Sequence, residues 1–249
     1  MKKGKQKFKG ELKHIEPYRL IEENKNDPIA NFFLVLAVVY NDLKGIILFE
    51  KLIFDMYEPV LSTDKPSVHA SEYGGIFTQT RKIFISCLRE FFEFLKENKD
   101  ILSTSEFKDI LGKTNKDIER RWNNIVDIAL ENESKDTSDF TKYLIKVRNN
   151  VAFHYSQSGK ELRKAFCNYF YKKEKIEQNK IAYYSIGENM ETTRFFYADA
   201  SVQEYLRSTT DDKIKGFDIK YKTEISTIIN DINWTILRLL KSYLKNRPK

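Results

Sequence analysis

Residues 72–98, EYGGIFTQTRKIFISCLREFFEFLKEN, decide the fold class. Ile76, Thr80, Ile83, Phe84, Cys87, Leu88, Phe91 and Leu95 recur at steps of three and four, while Arg81, Lys82, Arg89, Glu93 and Lys96 fall mostly outside that stripe. This is the period of an amphipathic helix rather than the alternation of a strand. Upstream, Asp27-Pro28 is a helix start, with Asp as cap and Pro pre-set for the first helical position. The apolar run from there to about Tyr57 predicts a second long helix, ended at Glu58-Pro59. Asn31, Asn41, Asp42 and Lys44 interrupt its most apolar part, Ile29 to Phe49, below the roughly 20 residues a bilayer needs. It is expected to be a buried core helix, not a membrane span.

The pattern continues downstream. A short helix over 105–111 stops at Gly112, and the next, over 115–131, lines up Ile118, Trp122, Ile125, Val126 and Ala129. Ser138 or Asp139 caps a helix whose core face is Phe140, Tyr143, Leu144, Val147 and Val151. Ser156 to Gly159 reads as a break before Leu162, Phe166, Tyr169 and Phe170 resume a helix. Ile181–Ile186 and Arg194–Tyr197, rich in β-formers around Gly187, predict a small hairpin. From Asp218 a final helix spaces Ile225, Ile228, Ile229, Ile232, Ile236, Leu239, Leu240 and Tyr243 so as to dock on the bundle or pair with a second subunit. The expected fold is therefore mainly α: a basic tail over 1–14, a helical bundle over 15–175, and a hairpin and final helix over 176–249.

Composition agrees with an ordinary globular protein, since 9 Gly and 5 Pro in 249 residues are few for a loop-rich β protein. The net charge of +7 suggests nucleic acid, but six lysines against Glu11 in residues 1–13 supply five of those charges. A solubilising arm explains such a tail as well as phosphate binding does. Cys87 and Cys167, far apart and inside apolar patterns, are expected as reduced thiols, and the basic N-terminus lacks an apolar signal region, so a cytoplasmic location is expected.

Most catalytic patterns are missing. The three histidines and two cysteines have no metal-ligand spacing, and Gly74-Gly75 lacks the Lys-Ser/Thr of a phosphate loop, so neither metal nor cofactor is expected. What remains is Lys146-Val-Arg148-Asn149-Asn150-Val-Ala-Phe-His154-Tyr155. Histidine moves protons near neutral pH, and the arginine fork donates two hydrogen bonds to phosphate while staying charged. RNA supplies its own nucleophile in the 2′-hydroxyl, so this pair is chemically sufficient to cleave it. Asn149 is placed to orient the histidine or bind a phosphate oxygen. Asn150 and Tyr155 are candidate substrate contacts, Tyr155 serving equally well as a packing aromatic. His14 and His69 receive no role.

Arg148, the polar Asn149 and His154, with five residues between Arg and His, resemble the signature of the HEPN superfamily. The resemblance implies a HEPN-type helical bundle and a metal-independent endoribonuclease, active as a homodimer with the motif at the subunit interface. It also implies a toxin or anti-phage effector and, for toxins, an antitoxin protein. Ser156 stands where some HEPN toxins carry a modifiable tyrosine two residues after the histidine, a departure that removes the basis for that regulation. On an ideal helix Arg148 and His154 would be about 9 Å and 120° apart, so a stretched arginine, a distorted helix or a second subunit is needed to bring them to one phosphate. The alternative is a noncatalytic HEPN-like module that binds a nucleotide, an RNA or a partner protein. A helical interaction protein unrelated to HEPN is a third.

Overall fold

In a computed structural model, residues 13–61, 67–130, 139–150, 155–171, 180–188, 192–208 and 217–247 are described. They form ten helices: α1 Pro17–Leu20, α2 Pro28–Met56, α3 Val68–Glu97, α4 Lys99–Ser103, α5 Ser105–Gly112, α6 Lys116–Leu130, α7 Asp139–Asn150, α8 Tyr155–Phe170, α9 Phe196–Ser208 and α10 Phe217–Asn246. The chain is thus mainly α.

The starts of these helices are chemical. Asp27 accepts the Ala30 amide at 3.0 Å with Pro28 at the first turn, Thr104 accepts that of Phe107 at 3.2 Å, and Asn115 accepts that of Ile118 at 2.9 Å. Ser67 caps α3 at 3.1 Å, so that helix begins earlier than the apolar stripe, which opens at Ile76.

α3 is the hub, packing on α2, α6, α7 and α9, and α10 closes the other side against α2, α5 and α6. Being surrounded, α3 buries more than one stripe: Thr78, Ile85 and Phe92 join the core, and so does Lys82, at 8% exposure, which the spacing puts outside. Burial pushes the Lys82 ammonium below the usual lysine range, with Asp199 opposing the shift. An aromatic cluster centres the bundle. Phe33 stacks on Tyr243 with ring centroids 4.2 Å apart, and Phe107 bridges Phe32 to Trp122. Burying each large apolar side chain contributes about 1.5–3 kcal/mol, so this cluster outweighs any single polar contact.

Three expectations change. Residues 181–197 form no two-stranded hairpin among the described residues. A single antiparallel bridge joins Ser185 to Arg194, and the presumed second strand runs straight into α9. Local β preference yields there to burial, because Phe196, Tyr205 and Leu206 seat α9 in the core. The 156–159 break is absent, as α8 begins at Tyr155 and carries Gly159 inside it. α2 is not a buried core helix: Ile29, Phe32, Phe33, Leu36, Leu43 and Ile53 face inward while its opposite side is exposed. Of the two places open to the final helix, α10 takes the first: Ile229, Ile232, Ile236, Leu239 and Tyr243 are buried within the chain's own core, so that stripe docks on the bundle rather than facing a second subunit. Residues 1–12 lie outside the described residues.

Candidate functional site

α7 is held on α3 by Tyr143, Leu144 and Val147, all buried, as its periodicity predicts. Phe140, by its side chain, and Val151 lie outside the description. The face that anchors Val147 leaves the next residue, Arg148, at the rim. Its side chain is 37% exposed and its Nη2 donates to Glu90 Oε1 of α3 at 3.1 Å. Nη1 donates to Asn149 Oδ1 at 3.3 Å, so the two motif side chains are already joined. Arg148 lies in the last turn of α7, where the helix dipole favours a cation. The Glu90 carboxylate stands where a phosphate oxygen would bind such a guanidinium. At 62% exposure it makes a weak, exchangeable partner.

Asn150 turns the other way. Its Nδ2 donates to the Tyr205 hydroxyl oxygen at 2.7 Å, and that hydroxyl donates to the Lys146 carbonyl at 3.4 Å, so α9 grips the end of the motif helix. Burial raises the Tyr205 phenol above its ordinary value, the Asn150 bond opposes this, and the Glu161 charge adds to it. His154 lies outside the described residues, in the segment between α7 and α8, and of Tyr155 only its place at the start of α8 is described. Of the five residues singled out by sequence, the structure thus brings together Arg148 and Asn149 at the rim and places Asn150 inward. Glu90 and Tyr205 carried no sequence signal, since their contacts to the motif span 58 and 55 residues.

A cavity of about 860 Å³ opens between α2, α3, α7, α8, α9 and α10, with none of Arg148, Asn149 or Asn150 in its lining. Phe54, Phe77, Tyr143 and Tyr169 give it aromatic walls, with Arg81 and Glu204 among its polar groups. Asn233 also lines it, and its Oδ1 is buried with no hydrogen-bond partner. Lys180 lies over the Tyr169 ring at 3.7 Å from its centroid.

Gly75 has a structural use. A Cβ there would collide with the Arg194 guanidinium, which donates to Glu72 at 2.9 Å and to Asp199 at 2.8 Å, tying the bridge and α9 to α3. Both cysteines are free and half-buried, and burial raises the Cys87 thiol, with Asp42 and Glu90 adding to the shift. His69 bonds the Glu58 carbonyl at 2.9 Å. Among the described residues no three His, Cys, Asp or Glu side chains gather as a metal centre needs. In comparisons with protein-family models, curated proteins and solved structures, no match was found.

Proposed function

We propose that the chain is a metal-independent endoribonuclease of HEPN type, with Arg148 and His154 as its catalytic pair and Asn149 supporting them. The observation that carries the proposal is the disposition of Arg148: anchored beside a buried Val147, half-exposed, joined to Asn149, and already holding an exposed carboxylate. A guanidinium so placed exchanges that carboxylate for a phosphate with little loss, because exposed ion pairs contribute only about 0–1 kcal/mol. His154 follows within the short connection to α8 and takes the proton of the RNA 2′-hydroxyl. Arg148 stabilises the charge that builds on phosphorus. RNA is then the substrate. The toxin or defence role and the antitoxin partner are extensions of the same resemblance, and the cytoplasmic setting rests on the two cysteines read as reduced thiols and the N-terminus without an apolar signal region.

The test is degradation of a mixed RNA pool. Arg148→Ala and His154→Ala should each lose at least about 10² in rate with the fold retained, and Arg148→Lys should be impaired because lysine keeps charge but not the fork. Undiminished cleavage by folded His154→Ala ends the assignment.

A second reading, a noncatalytic binding module, is favoured by the cavity. Its aromatic walls and the unpartnered Asn233 oxygen suit a small planar ligand bearing an N–H or O–H donor. Under that reading neither motif substitution changes RNA, while Asn233→Ala weakens ligand binding.

A further inference from the structure

α2 exposes more apolar surface than a core helix requires. On the side away from the bundle, Leu34 is 54% exposed, Val38 51%, Phe49 48%, Leu52 55% and Met56 72%, with Asn41 and Gly45 exposed among them. These seven positions form one stripe, about 33 Å long at 1.5 Å per residue. Their spacing is symmetric. Asn41 and Phe49 stand four residues either side of Gly45, Val38 and Leu52 seven, Leu34 and Met56 eleven.

Gly45 is unexplained by the chain alone. Glycine in a helix interior is less stable than alanine, and a Cβ at Gly45 would meet nothing within 4 Å, so the monomer has no need of it. A glycine at the centre of an apolar stripe does let a second helix approach closely.

We propose that this face is covered by a second copy of the chain, in an antiparallel α2–α2 pairing whose two-fold axis passes by Gly45. Such an axis relates a patch to itself, as an isologous dimer requires. It sets Leu34 against the partner copy's Met56 position, Val38 against its Leu52 position, and Asn41 against its Phe49 position. Half-exposed side chains of this size leave on the order of 100 Å² each uncovered, so the five apolar ones offer roughly 500 Å² per copy. Two copies reach about 1,000 Å², where a specific interface becomes sustainable.

The competing occupants fit less well. α2 has the length and composition of a membrane span, but its inward side is part of the core, which a spanning helix would have to abandon. A helix lying on a bilayer gathers Lys and Arg along its polar edge, whereas Asp42, Lys44, Lys51 and Asp55 here carry both signs. Residues 1–12 hold five lysines and offer only Met1, Phe8 and Leu12 as large apolar side chains. The inference is independent of the ribonuclease reading, because it is tested by mass and not by activity.

Light scattering of the full chain at micromolar concentration should give about twice 29.5 kDa. Leu52→Glu should raise the dimer dissociation constant at least 100-fold while circular dichroism stays helical. Gly45→Ala separates a packing role from a folding role by sign: it should weaken the dimer about 10-fold while leaving the monomer's melting temperature equal or higher. Should Leu52→Glu not fold, the alanine variant alone decides. A monomeric wild type, or a dimer indifferent to both substitutions, overturns the proposal. So does a monomer that sediments with vesicles of mixed phosphatidylcholine and phosphatidylserine and loses this in Leu52→Glu, since the face is then a membrane surface.

Discussion

Tyr205→Phe tests whether α9 holds the end of the motif helix. The substitution keeps the ring and its packing but removes the oxygen that accepts from Asn150 at 2.7 Å and donates to Lys146 at 3.4 Å. The long second bond contributes little. The first leaves a part-buried amide unpartnered, a loss of about 1–2 kcal/mol. In a chain of this size each kcal/mol moves the melting temperature by about 2–4 °C, so a fall of about 2–8 °C is expected by calorimetry. Cleavage should slow by about 10-fold, because α7's last turn is then less firmly positioned. The alkaline behaviour adds a signature. Tyr205 holds its proton more tightly folded than unfolded, so its contribution is complete below about pH 10 and is lost as pH rises through the higher folded value. The gap between wild type and Tyr205→Phe should therefore be constant near neutrality and shrink above about pH 10. Equal melting temperatures across the whole range would refute the coupling.

Gly75→Ala should forgo the gain of about 0.5–1 kcal/mol that alanine brings inside a helix and come out neutral to about 1 kcal/mol less stable in a denaturant titration, since the new methyl displaces the Arg194 guanidinium from Glu72 and Asp199. A net stabilisation by the full amount, about 0.5–1 kcal/mol, would mean that the guanidinium relocates without loss. Glu90→Gln should tighten RNA binding by up to about 5-fold, read as a lower KM, with stability changed by less than about 0.5 kcal/mol, because the pair it breaks is exposed. Weaker RNA binding would mean that Glu90 positions Arg148 for the substrate rather than competing with it.

The helices that a single apolar stripe defines were legible in the sequence. α3, α6, α7 and α10 lie where steps of three and four put them, and α2 where an apolar run follows Asp27-Pro28, with Asp27 capping as a short polar side chain does. α9 was hidden because Tyr, Phe and Ile around residues 181–197 favour strands locally, and only tertiary burial of Tyr205 and Leu206 reveals a helix. Periodicity also says which residues are apolar but not which partner covers them. The α10 stripe turned inward, and the outward stripe proved to be on α2, where Asn41 and Gly45 broke the apolar run without removing the face. Half of the candidate site was readable on the same terms. Arg148 and Asn149 announce themselves by chemistry and spacing, while Glu90, Tyr205 and the cavity depend on how distant segments meet.

Product ends test the central claim most directly. If the 2′-hydroxyl is the nucleophile, with His154 taking its proton and Arg148 holding the phosphorane, the bond to the 5′-oxygen breaks and that oxygen leaves as a hydroxyl, taking a proton from the His154 imidazolium or from water. Mass spectrometry of RNA fragments made in the presence of EDTA should then show 2′,3′-cyclic phosphate, or its hydrolysis product, paired with 5′-hydroxyl ends. A substrate with one 2′-deoxy sugar at the cut should bind but survive, because its phosphate contacts are unchanged. Fragments with 5′-phosphate ends, cleavage that stops in EDTA, or equal cutting of the deoxy substrate would contradict the roles given to Arg148 and His154.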